Sequence, residues 1–161
     1  GAMIISKSEE NGIQDIICGS KGDVEDLLIS KNIKIKDPEV NEVGRQDHIH
    51  MKGAEVFKFA TRILPKTVND LLERNKITLD DLDYMVAHQA NARIITKAAK
   101  DLNFSMDKMF VNIDKYGNTS AASVPLAIDE AIKTKVLKKG DKFITVAFGG
   151  GLTWGGALIQ L

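Results

Sequence analysis

Apolar positions recur along this chain with two alternating periods. Val56, Phe57, Ala60, Ile63, Leu64, Val68, Leu71 and Leu72 follow three-to-four spacing, which puts them on one face of a long helix. Pro65 lies inside that run and predicts a kink or an interruption. Ile94, Ile95, Ala98, Ala99 and Leu102 repeat the pattern over a second helix, Ala90–Leu102, and Thr119–Lys133 reads as a third. Short apolar runs at Met3–Ser6, Ile13–Cys18, Tyr84–Ala87, Met109–Ile113, Phe143–Phe148 and Leu152–Leu161 read as strands. Thr78 with Asp81 three residues on predicts a capped turn. The polar stretch Lys21–Asp47 reads mostly as loop. Strands alternating with helices predict an α/β domain, with helices layered on a mostly parallel mixed sheet. The last strand turns back antiparallel after Gly149-Gly150-Gly151. In the third helix Ala121, Ala122, Val124, Pro125, Leu126, Ala127, Ile128, Ala131 and Ile132 cover most of the circumference, the pattern of a helix buried on all sides.

The two ends are abrupt. Gly1-Ala2-Met3 reads either as a scar left by a cleaved tag or as partly native, because Ala2–Ser6 is already strand-like. Ala157–Leu161 stops inside another strand-like run.

Composition narrows the function classes. A chain of 161 residues is long enough for one domain with a real core. Lys plus Arg and Asp plus Glu number 22 each, and zero net charge argues against a general nucleic-acid binder. No apolar run approaches the roughly 18 residues of a membrane span, and no signal peptide is visible. The single Cys18 excludes an internal disulfide and a Cys-rich zinc site, and a reducing cytoplasm is the simplest compartment. Cys18 itself lies in an apolar run with no positive neighbour before it and no helix start after it, which predicts a buried, inert thiol. His48 and His50 alternate as ligands on a strand would. Only His88 is left to join them by imidazole, so no metal site is expected.

Three polar or glycine-rich loops follow three of the predicted strands: His88-Gln89-Ala90-Asn91, Tyr116-Gly117-Asn118-Thr119-Ser120 and Gly149-Gly150-Gly151. Parallel strands bring such loops to one sheet edge, where ligands of open α/β sheets bind. A His, an Asn and a glycine backbone gathered there can donate hydrogen bonds to an oxygen that gains charge. Each feature also has a plain reading: a structural His, an Asn capping the third helix, a tight glycine turn. The glycines lack the spacing of a phosphate-binding loop.

Taken together, four segments closely resemble β-ketoacyl-acyl carrier protein synthase III. They are His50–Phe59, His88–Ile95, Asn112–Ser123 and Ala147–Gly155. The resemblance runs in order along essentially the whole chain and matches the C-terminal half of that enzyme. It implies that residues 1–161 form the C-terminal domain of a thiolase-like fold, and that the N-terminal half with the nucleophilic Cys lies outside this sequence.

The resemblance implies an acyltransferase of fatty acid biosynthesis, which condenses acyl-CoA with malonyl-acyl carrier protein and releases carbon dioxide. These are substrates, and no cofactor is implied. His88 and Asn118 match the catalytic pair that holds the malonyl thioester oxygen as an enolate forms. Gly150 matches a backbone donor of the oxyanion hole. Phe57 and Asn91 resemble residues lining the pantetheine tunnel, Phe148 resembles the aromatic residue beside the nucleophile, and Lys58, Arg93 and Lys100 resemble those that dock the acidic carrier protein. The implied partners are the carrier protein, the N-terminal half, and a second copy in a homodimer of the intact enzyme. Nucleic acid and membrane are not among them.

Departures from the pattern bear on detail. Cys18 does not match the nucleophile, Ala54 stands where some relatives have a polar residue, and Ala92 where many have Leu. Two alternatives stay open: a free-standing CoA- or carrier-protein-binding module, and a sister condensing enzyme of the same superfamily. By itself the 161-residue chain is expected to be inactive, with one face of the third helix bare.

Overall fold

In the computed structural model, which describes residues 1–22, 25–30 and 49–161, a four-stranded mixed sheet is layered with helices. Its strands are β1 (Gly12–Ser20), β4 (Tyr84–Ala87), β5 (Lys142–Gly149) and β6 (Thr153–Gln160), in the order β1-β6-β5-β4. Among the strands, parallel pairing is confined to β4–β5, so the sheet is mixed and mainly antiparallel rather than mostly parallel. β5 and β6 form a hairpin around the glycine turn, and β1 adds antiparallel to the far side of β6. A two-stranded ribbon, β2 (Leu28–Ser30) with β3 (Ile49–Met51), leads into α1 (Gly53–Asn75). The remaining helices are α2 (Ala92–Leu102), α3 (Ile113–Tyr116) and α4 (Ser123–Lys133). No helix among the described residues is long and apolar enough to cross a membrane.

α1 and α2 cover one face of the sheet. Ala60, Leu64, Val68 and Leu71 of α1 are completely buried, with Ile95 and Ala99 of α2 beside them and Met85, Ile144, Val146 and Leu158 beneath. Burial of each larger side chain contributes about 1.5–3 kcal/mol. The helix sits low because β6 has no side chain at Gly156. A Cβ there would lie 2.8 Å from Thr67 Cγ2, 3.1 Å from Leu71 Cδ1 and 3.1 Å from the Thr145 carbonyl oxygen. Asp15 of β1 ties the edge strand to the last turn of α1: Arg74 Nη2 and Asn75 Nδ2 each donate to its carboxylate at 2.8 Å.

α4 lies on the opposite face. Ala127, Ile128 and Ala131 pack on Val86 and Phe143, with Leu137 closing the cluster. The other flank of α4 is bare among the described residues, with Leu126 36% and Ile132 44% exposed, as are Met3, Ile4 and Ile5. The isolated chain is therefore expected to self-associate and to bind a hydrophobic dye, because large apolar patches are rare on soluble monomers. A monodisperse monomer at high concentration by light scattering, without dye binding, would contradict this.

Several expectations need correction. Met3–Ser6 forms no strand and pairs with no strand among the described residues. Met109–Ile113 is also not a strand. It makes one parallel bridge, Met85 to Met109, and then coils into α3. Pro65 does not interrupt α1, which runs unbroken through it. α2 starts at Ala92, two residues later than expected, because Asn91 caps it: Asn91 Oδ1 accepts from the Arg93 N–H at 2.9 Å. A 3₁₀ turn at Ser120–Ala122 precedes α4. The predicted loop 21–47 contains β2, and its residues 23–24 and 31–47 lie outside the described residues, as does His48. The turn at Leu79–Asp81 is capped as expected, with the Asp81 carboxylate accepting from Thr78 N–H at 2.8 Å and from its hydroxyl at 2.9 Å.

Candidate active site

The parallel pair β4–β5 ends with both carboxyl termini at one edge, and the side chains of interest gather there. His88 follows β4 directly. Its N–H still donates to the Val146 carbonyl at 2.8 Å, so the β4–β5 ladder fixes its backbone. The ring is half-buried, edge-on to Phe148 with centroids 5.4 Å apart. Its Nδ1 lies 2.5 Å from Ser123 Oγ at the start of α4.

Gln89 holds the next loop in place from inside. Its side chain is 1% exposed, and every polar atom has a partner. Nε2 donates to the carbonyls of Ala87 (2.8 Å) and Phe110 (3.2 Å), and Oε1 accepts from the Asn112 N–H at 3.0 Å. These bonds stand in for the ladder that the segment does not continue past the Phe110 N–H. Asn112 then donates from Nδ2 to Glu130 of α4 at 2.8 Å, and Lys115 bonds the other oxygen of the same carboxylate. The Lys115 ammonium, and after it the Asn112 amide, hold the Glu130 carboxyl below the usual range. The segment that delivers Asn118 is thereby fastened to both β4 and α4.

Asn118 is exposed, and its Oδ1 accepts from the Ser120 N–H at 3.0 Å. That bond assigns the carbonyl end of the amide and leaves Nδ2, with two hydrogens, without an acceptor among the described residues. His88 and Asn118 both line one open groove of about 1430 Å³. Phe57 and Lys58 of α1, Asn91 and Arg93 at the start of α2, and Phe148 and Gly150 at the end of β5 line it too. The Arg93 guanidinium lies over the Phe57 ring, 5.7 Å from its centroid. Lys100 does not line the groove. It is exposed further along α2.

Cys18 is a correction. It is exposed rather than buried, because alternate side chains of β1 face opposite sides of the sheet, and on the side that bears Cys18 the helix α4 covers β4 and β5 but not β1. It lines the groove beside Gly155. His50 is exposed on β3. Among the described residues no group of three or more His, Cys, Asp or Glu side chains is placed to hold a metal ion.

Burial of His88 pushes its pKa below 6.5, so the ring is neutral at pH 7. The unfolded chain binds a proton more readily, so folding gains stability from this group above pH 6.5 and loses it as pH falls toward the folded value. Two results are expected: an NMR titration midpoint for His88 below 6.5, and a flatter stability–pH curve in that window for His88→Gln. A midpoint above 6.5 would contradict the burial argument.

Ser123, Gln89, Asn112 and Glu130 were not singled out from the sequence. Gln89 and Ser123 are polar residues at element ends, which read as solvent-facing, and the Asn112–Glu130 bond joins segments that only the tertiary fold brings together.

Comparison with known proteins places these features in context. A family model described as 3-oxoacyl-[acyl-carrier-protein (ACP)] synthase III C terminal matches residues 72–161. The chain is 46% identical over 161 residues to a beta-ketoacyl-[acyl-carrier-protein] synthase III of Clostridium acetobutylicum, and 45% identical to that of Clostridium novyi. Each alignment takes in 99% of this chain and 50% of the relative, so the chain spans about half the length of the curated relatives it matches. Among solved structures, 3-oxoacyl-[acyl-carrier-protein] synthase III of Aquifex aeolicus superposes with a TM-score of 0.85 at 38% identity, over 97% of this chain and 46% of the other. The Thermus thermophilus enzyme superposes at 0.84 and 34% identity, over 96% and 47%.

Proposed function

The chain belongs to the 3-oxoacyl-[acyl-carrier-protein] synthase III C-terminal family, and from that premise we propose that it supplies the enolate-forming half of a decarboxylative condensing enzyme. The observation that carries this reading is the convergence of His88 and Asn118 on one groove, with the Asn118 amide hydrogens unpartnered among the described residues.

The chemistry follows from charge. When the C–C bond to the malonyl carboxylate breaks, carbon dioxide leaves and the electron pair passes into the thioester, making an enolate oxygen. Neutral His88 and Asn118 donate to that oxygen, and preorganised donors of this kind are worth most where charge develops. The enolate carbon then attacks an acyl thioester carried by a Cys of the N-terminal half. The carbon–sulfur bond to the Cys breaks, its thiolate leaves, and a 3-oxoacyl thioester is formed. The electron pair needs no cofactor to hold it, because the enolate stores it. The Gly150 N–H completes the oxyanion hole of the acyl-Cys. Phe57 and Asn91 flank the pantetheine arm, Phe148 stands beside the nucleophilic Cys, and Lys58, Arg93 and Lys100 meet the acidic carrier protein. Assembly as a homodimer in the cytoplasm belongs to the same reading.

The test is product analysis. The full-length protein containing this half, given acyl-CoA and malonyl-carrier protein, should release carbon dioxide and form 3-oxoacyl-carrier protein. Tight binding of both substrates without product would favour a binding module instead, and a different acyl acceptor would favour a sister condensing enzyme. Lys100 separates docking from chemistry because it stands outside the groove. Lys100→Glu should raise KM for the malonyl-carrier protein on the order of tenfold at low salt and leave malonyl-CoA unaffected. Equal losses on both substrates would remove Lys100 from the docking surface.

A further inference from the structure

Ser123 opens α4 with its side chain turned inward, 2% exposed, and its hydroxyl oxygen touches two groups. The Gln89 N–H lies 3.3 Å from Oγ and acts only as a donor. His88 Nδ1 lies 2.5 Å away and is donor or acceptor according to the tautomer. A serine hydroxyl has one hydrogen and two lone pairs. If Nδ1 carried a hydrogen, both lone pairs would be taken and the hydroxyl hydrogen would need another acceptor. Ser123 Oγ has no other hydrogen-bond partner among the described residues. A buried hydroxyl with its hydrogen unpaired costs about 1–3 kcal/mol, whereas donation to Nδ1 leaves every group satisfied.

We propose that Ser123 is a positioning residue that fixes the His88 tautomer: its hydroxyl donates to Nδ1, so the ring proton resides on Nε2. The Gln89 amide polarises the hydroxyl in the same direction, because an oxygen that accepts one hydrogen bond donates a stronger one. Burial keeps the ring neutral, so its one N–H is the one that this arrangement leaves on Nε2. The polar end of β4 and the first residue of α4 thus act together, and the ring reaches the groove already prepared as a donor. The catalytic use of that donor rests on the function proposed above. The tautomer assignment itself does not.

Nitrogen-15 NMR of the full-length enzyme labelled at histidine reads the tautomer directly, with the His88 signals assigned by their loss in His88→Gln. The expected result is a protonated Nε2 and a bare Nδ1. A protonated Nδ1 in the wild type overturns the proposal. Ser123→Ala should mix the tautomers and lower kcat for condensation on the order of tenfold, as loss of a histidine-orienting partner does elsewhere, with KM for the malonyl thioester little changed. Ser123→Thr, which keeps the hydroxyl, should restore both readouts. A folded Ser123→Ala with the wild-type tautomer and wild-type kcat also overturns it. Should Ser123→Ala fail to fold, the wild-type spectrum together with that of Ser123→Thr decides. A protonated Nε2 combined with undiminished condensation by His88→Gln would leave the Ser123 assignment standing and defeat the functional reading alone.

Discussion

Replacing His88 or Asn118 by alanine in the full-length enzyme should slow decarboxylation of the malonyl thioester by a hundred- to a thousand-fold, on the order expected for losing one oxyanion donor. Acylation of the Cys by acyl-CoA should be spared, because that step develops charge on a different oxygen. The two effects separate in a single experiment that measures burst labelling by acyl-CoA and then carbon dioxide release. The geometry makes the two substitutions unequal in side effects. Asn118 is exposed and its one internal bond is local, so Asn118→Ala should fold normally. His88→Ala removes a ring packed on Phe148 and leaves the Ser123 hydroxyl without its partner, so a stability loss should accompany the catalytic one. Condensation at the wild-type rate in both variants would defeat the assignment of these residues.

The second large effect concerns the 161-residue chain by itself. It should take no acyl group from labelled acetyl-CoA. The proposed reaction needs a thiolate to form the covalent intermediate, and the one thiol present is badly placed for that role. Cys18 is accessible, but it sits in the body of β1, not at a helix N-terminus, where thiols are activated. Accessibility makes the experiment decisive, since steric protection does not explain a negative result. Stoichiometric labelling abolished by Cys18→Ser would show that the groove activates Cys18 and that this half has chemistry of its own.

What the sequence made legible follows the strength of its periods. α1 is legible because it buries one regular face, and β4 and β5 are legible as short apolar runs buried on both faces, with Tyr84–Ala87 matching β4 to the residue. The segment after Met109 has the apolar content of a strand, but only the Phe110 N–H continues the pairing, to the Met85 carbonyl, while the Phe110 carbonyl and the Asn112 N–H bond the Gln89 side chain. Periodicity carries no information about a partner of that kind. The exposure of Cys18 has a related reason: an apolar neighbourhood in sequence predicts burial only where both faces of a strand are covered, and α4 stops short of β1. The groove residues were named from motif likeness, and the fold gathers eight of the nine about one concavity, with Lys100 apart. The bonds that fix the groove's edge, from Gln89 to Asn112 and from Asn112 to Glu130, join positions that no local rule pairs.

The adjacent glycines of β6 have a consequence for how this sequence tolerates change. Gly156 faces α1, where an added methyl meets Thr67, Leu71 and a strand carbonyl. Gly155 points the other way, where a methyl meets the Ile17 carbonyl oxygen at 3.3 Å and Cys18 Sγ at 3.7 Å and intrudes on the groove. Neighbouring codons therefore answer to different selections. A random-mutagenesis library of the full-length protein screened only for soluble expression should be depleted of changes at 156 more than at 155. The same library screened for turnover should lose both, so that comparing the two survivor sets separates the helix seat from the ligand wall within a single dipeptide.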